Sequence, residues 1–138
     1  MQASRVRQVV NAVNGSTLLG LGIALVGRAR VGRGPRGILL ATGFRIGFPP
    51  ASAFTVGDVV LTRHDLAYLE ARPRLLRHEE RHCWQYVACL GLPLLPLYAV
   101  AVGWSYLRGG DPATHNVFER AADLADGGYP VLSPARRA

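Results

Sequence analysis

The chain has 138 residues, enough for one domain with a buried core, and 49% hydrophobic against 18% charged residues exclude a disordered chain. Sixteen basic residues, all Arg, against nine acidic ones give a net charge of +7, a balance that suits anionic partners. Only Arg28, Arg30, Arg33 and Arg36 cluster, in a Gly-rich loop without interleaved aromatics, so nucleic acid is the least favoured partner.

In chain order, residues 1–30 form an N-terminal helical and apolar segment. Residues 4–13 are predicted as a short helix with Arg5 and Arg7 outward, and Asn14, Ser16 or Thr17 caps a second apolar helix reaching about Arg28. Residues 36–62 hold short strands: 37–46 lean to strand, Pro49-Pro50 forces a turn, and 53–62 read as two strands around Gly57-Asp58, with Phe54, Val56, Val59 and Leu61 as apolar positions. Pro73 suits a first helical turn and Gly91 with Pro93 ends the pattern, which places a helix over 73–90. An apolar helix over 93–107 and a helix over 114–126, closed by Gly127-Gly128, follow. No repeat interrupts this single domain of 1–138, and residues 132–138 are expected to fray.

The helix over 73–90 carries the chemistry. Residues 78–82 read His-Glu-Glu-Arg-His, an H-E-x-x-H pattern, and positions i and i+4 lie one above the other on a helix. His78 and His82 thus offer two imidazoles to one metal ion, with Glu79 beside them. Leu75, His78, Glu79, His82, Tyr86 and Cys89 share one side of the wheel, and Arg74, Arg77, Glu80 and Arg81 crowd another, so the histidines face inward.

A catalytic zinc takes three protein ligands and keeps a position for water, whose proton a neighbouring carboxylate accepts. His115, Glu119 and Asp123 stand at successive i+4 positions of the helix over 114–126. Glu119 is the expected third ligand, and Asp123 the carboxylate that holds the free N–H of a ligating His. His115 is the competing ligand, or else a donor to an oxyanion, a role also open to Tyr86 and Tyr129.

The pairing of H-E-x-x-H at 78–82 with E-x-x-x-D at 119–123 resembles the gluzincin type of zinc metallopeptidase. More narrowly, residues 54–129 are similar to small bacterial metallopeptidase-like proteins, largely uncharacterised, in which a Gly-containing strand precedes the motif helix, a Gln follows it (here Gln85), and an apolar Gly-Leu-Pro-Leu-Leu-Pro-Leu-Tyr run (91–98) leads to the Glu helix. The resemblance implies a minimal zincin-like α+β domain, mostly helical, with a small sheet packed on the motif helix. It also implies His78, His82 and Glu119 as ligands of Zn2+ and Glu79 as general base in a peptidase acting on a peptide or protein. Glu80 and Arg81 depart from the uncharged residues usual at these two positions, and imply that the far side of the helix is exposed. The alternative is a non-catalytic metal-binding or membrane-associated structural protein on the same fold.

Two observations bear on location. Cys83 and Cys89, six apart on one helix, point to different sides, which excludes a disulfide between them; reduced core cysteines fit a cytoplasmic protein, and residues 1–14 hold no cleavable apolar leader. Residues 87–107 lack any charged side chain, but Gly91 and Pro93 leave a helix of about 15 residues, roughly 22 Å against about 30 Å of bilayer core. That run and the shorter one at 17–27 are expected to pack as core, with a hairpin docked on a membrane surface as the alternative.

Overall fold

Two helices set at a 73° bend begin the chain, α1 (Gln2–Val13) and α2 (Ser16–Val26). The computed structural model describes residues 2–47, 49 and 51–129; the expected turn at Pro50 and the expected frayed tail lie outside them. Helix α1 is inverted: it buries Arg7 and Asn11 completely and leaves Val6, Val9 and Val13 exposed. The expectation of an outward Arg7 is therefore corrected, while Arg5 is exposed. The cause lies in two carboxylates. Arg7 Nε donates to both oxygens of Asp58 at 3.2 Å, its Nη1 donates to Glu80 at 2.9 Å, and Asn11 adds a bond to Asp58 at 2.7 Å. A buried carboxylate needs such partners, because an unpaired charge away from water is strongly unfavourable.

Strands β1 (Arg30–Arg33), β2 (Leu39–Thr42), β3 (Phe54–Val56) and β4 (Val59–Leu61) form one mixed sheet in the order β1-β2-β4-β3. β1 runs antiparallel to β2, β2 parallel to β4, and β3 antiparallel to β4. The arginine cluster read as a loop thus supplies an edge strand, exposed at every position, and a 3-10 turn at Pro35–Gly37 separates it from β2. Edge position explains the lack of a strand pattern in these residues, since nothing apolar needs burying there.

The sheet divides the core in two, as the two-residue period of a strand requires. Val59 and Leu61 of β4 and Ala41 of β2 join Ala24, Val56, Tyr86 and Leu94 on one side. Val60 and Leu40 join Ile38, Leu69, Leu75, Leu76 and Cys83 on the other. Helix α2 crosses β3 at Gly20, where an added Cβ would lie 2.4 Å from the Val56 carbonyl oxygen, so only glycine permits this approach.

Four further helices follow among the described residues: α3 (Leu66–Glu70), capped by the Asp65 carboxylate, α4 (Pro73–Ala88), α5 (Leu94–Gly109) and α6 (Val117–Ala121). Helix α4 lies along β3 and carries the H-E-x-x-H residues. Helix α6 is much shorter than the expected 114–126. Its start is fixed by Asn116, whose side chain accepts from the amides of Phe118 and Glu119, and turns replace helix beyond Ala121, with Asp123 at φ 78°. Among the described residues no helix is long and apolar enough to cross a membrane.

Candidate metal centre

His78 and His82 project from α4 and Glu119 from α6, and the three side chains converge in a buried site. His78 Nε2 lies 3.0 Å from one Glu119 oxygen, His82 Nε2 2.9 Å from the other, and the two Nε2 atoms 3.1 Å apart. A tetrahedral ion with ligand bonds of about 2.0 Å has donor-to-donor edges of about 3.3 Å; the two imidazole nitrogens, 3.1 Å apart, are close to one such edge, and each faces its own Glu119 oxygen. Two imidazoles and a carboxylate are also the donor set that zinc accepts.

The far ring atoms of both histidines are held. His78 Nδ1 lies 2.7 Å from the main-chain carbonyl oxygen of Asp123, and His82 Nδ1 lies 2.8 Å from Gln85 Oε1, whose amide in turn donates to the Phe118 carbonyl at 2.8 Å. An acceptor at Nδ1 fixes the tautomer that leaves Nε2 free as a ligand. Asp123 thus serves through its backbone, not through the carboxylate expected from the sequence: with helix lost beyond Ala121, its side chain accepts instead from the Asp126 amide at 3.0 Å. The left-handed turn at Asp123 ends the helical run just where its carbonyl meets His78.

The remaining carboxylate of the motif is equally constrained. Glu79 is buried beside the triad, and Thr55 Oγ1 of β3 donates to it at 2.6 Å. Tyr98 of α5 donates its hydroxyl to Glu119 at 2.7 Å. Thr55 and Tyr98 were missed by sequence reasoning: the first lies in a strand far from the motif, and the second sits in an apolar run where a tyrosine reads as core.

Other expected residues stand elsewhere. The Tyr86 hydroxyl donates to the Thr55 carbonyl at 3.1 Å, tying α4 to β3. His115 does not join the cluster; its ring packs at Gly109, the end of α5, and its amide donates to Ser105 Oγ at 2.9 Å. Tyr129 does reach the site, its ring centroid 5.9 Å from that of His78. Cys83 is a free thiol wholly inside the core, where burial pushes its pKa up and keeps it protonated.

Electrostatics bind the triad as an ion pair. Burial opposes charge on His82, but the hydrogen bond to Glu119 and the fields of Glu79 and Glu119 outweigh it and raise the pKa to about 9. His78 is raised in the same way. Glu119 is also opposed by burial, yet its bonds to both histidines and Tyr98 hold it below the usual carboxylate range. Burial, then Glu119 and Glu79, raise the Tyr129 phenol, and Tyr98 is raised by burial and Glu119.

The two charged residues inside the motif both hold partners on other elements. Glu80 is half-buried between Arg7 and Arg36, and Arg81 donates to the Ala122 carbonyl at 2.9 Å and to Asp126 at 3.0 Å. Glu80 therefore ties α4 to α1, and Arg81 ties it to the segment that follows Glu119. The expected exposure of this helix side holds at Arg74, Arg77 and Trp84, and the Arg81 side chain is itself 43% exposed; only Glu80 is largely covered. Beside the site a groove of about 360 Å³ is lined by Tyr68, Arg72, Arg74, Asp126 and Gly127. It shares Gly127 with His78: a Cβ there would lie 2.6 Å from the imidazole.

Comparison of the chain with protein-family models, with curated proteins and with solved structures gave no match.

Proposed function

We propose that this chain is a zinc-dependent hydrolase of zincin-like build, with a peptide or other amide bond as its substrate. One observation carries the reading: two imidazoles and a carboxylate from two different elements converge in a buried site, the two Nε2 atoms 3.1 Å apart and each facing its own Glu119 oxygen, with both histidines oriented from behind. Ordinary surface histidines have no reason to be buried together against a carboxylate, where desolvation opposes their charge.

His78, His82 and Glu119 would hold the ion, which when bound supplies Lewis acidity towards a carbonyl oxygen and towards water. Glu79 then takes the proton from the attacking water and delivers it to the leaving amine. Thr55 keeps the Glu79 carboxylate in place through its 2.6 Å bond. Tyr129, protonated and beside His78, is the donor available to the developing oxyanion.

The test is elemental analysis of the purified protein, coupled to hydrolysis of a quenched-fluorescent peptide library with and without chelator. Glu79→Gln is expected to keep stoichiometric zinc and to lose turnover by about 10² to 10⁴. His82→Ala is expected to lose both metal and activity. Equal metal content in wild type and His82→Ala would sink the proposal.

A further inference from the structure

Three helices of this molecule turn apolar side chains to the outside. On α5 only the stripe Leu94, Tyr98, Ala101 and Ser105 faces the body, and Leu95, Leu97, Val100, Trp104, Tyr106 and Leu107 are exposed. At 100° per residue these six span about 200° of the helix circumference. A single partner helix covers a stripe of about 100°, half of what is bare here. On α2, Ser16, Gly20 and Ala24 face inward while Leu18, Leu19, Leu25 and Val26 are exposed, and inverted α1 adds Val6, Val9 and Val13.

The turns that join these helices to their neighbours meet at one corner. The turn between α1 and α2 meets the turn between α4 and α5 where Asn14 lies against Gly91, so close that a Cβ on Gly91 would be 2.5 Å from Asn14 Cγ. Val13, at 83% exposure, and Leu90, at 77%, flank that contact.

Charge selects the occupant. Residues 1–57 and 81–110, which supply all of these faces, contain no Asp or Glu. Each apolar run ends in an exposed arginine, α2 at Arg28 and α5 at Arg108, the latter 5.5 Å above the Trp104 ring. Apolar side chains fringed by Trp, Tyr and Arg match the boundary between acyl chains and anionic headgroups. For α5, length favours lying over spanning: 16 residues make about 24 Å, short of a hydrocarbon core of about 30 Å.

We propose that α1, α2, the α4–α5 turn and α5 form a face by which the protein rests in the interfacial layer of an anionic bilayer. This does not depend on the metal or on catalysis.

The experiment is sedimentation of the full chain with vesicles of phosphatidylcholine alone or mixed with phosphatidylglycerol, with tryptophan emission read on the same samples. Binding to the anionic vesicles with a blue shift of emission is expected, weakening as salt rises. The double variant Val100→Glu with Leu107→Glu, both fully on the outer arc, should lower partition at least about tenfold while zinc content and the thermal transition stay as in wild type. Failure of wild type to sediment with anionic vesicles overturns the proposal whatever the variant does. So does light scattering that finds a lipid-independent dimer which the double variant converts to monomer, since a second copy would then cover the face.

Discussion

Gly127 shows how little room the candidate centre has. The position is not left-handed, so the demand for glycine is one of space: the His78 ring fills the volume a Cβ needs. Gly127→Ala should therefore push the imidazole off its line to Glu119 and destabilise the fold by about 1 to 3 kcal/mol, with weaker zinc retention. Thermal denaturation and metal titration check this, and unchanged zinc affinity would remove Gly127 from the wall of the site. His78, His82, Glu79 and Glu119 could be read from the chain because helical spacing and ligand chemistry act locally. The partners that orient them could not. Thr55 and Gln85 owe their roles to tertiary neighbours, and Asp123 acts through a carbonyl whose direction depends on a left-handed turn, which no side-chain identity announces.

The elements add a second kind of constraint, in which polar groups, not apolar ones, join the pieces. Helix α4 is fastened to α1 through Glu80 and Arg7, and to the segment after α6 through Arg81. Arg7 is wholly buried, so Arg7→Met, similar in size, should cost about 3 to 5 kcal/mol by leaving Asp58 and Glu80 short of a counter-charge. Urea unfolding midpoints measure this; a loss under 1 kcal/mol would mean that water reaches the carboxylates. The strong elements α4 and α5 and the hairpin of β3 and β4 were evident from breakers and periodicity. β1 and α3 were not, being short and weakly apolar, and α6 was overestimated because the sequence beyond Ala121 has helix-forming residues that a tertiary bond to His78 overrides.

For the whole molecule, the coupled titration of the triad makes stability depend on pH and, under the proposed zinc reading, on metal as well. In chelator-treated protein the His82 pKa is raised from 6.5 to about 9, so its contribution is complete below about pH 6.5 and drains away as pH rises through about 9. Glu119 is lowered from 4.5, so its contribution is present above that value and lost in acid. Zinc requires unprotonated imidazoles, and its binding must expel the His82 proton near neutrality. Melting temperature between roughly pH 6.5 and 9.5 should therefore fall for stripped protein and hold or rise for loaded protein. Parallel curves for the two forms would show that the histidines do not titrate on binding.

The seating of Arg7 also sets an order of events during synthesis. Its partners lie 51 and 73 positions further along the chain, at Asp58 and Glu80. While the ribosome is still making the sheet, α1 has nothing to bury its guanidinium against, and the apolar α2 lacks the strand that Gly20 will meet. Closure of the fold must wait until α4 has emerged. Until then the nascent chain presents its apolar helix α2 beside the arginines of residues 28–36, a state in which an early encounter with a chaperone or a lipid surface competes directly with folding.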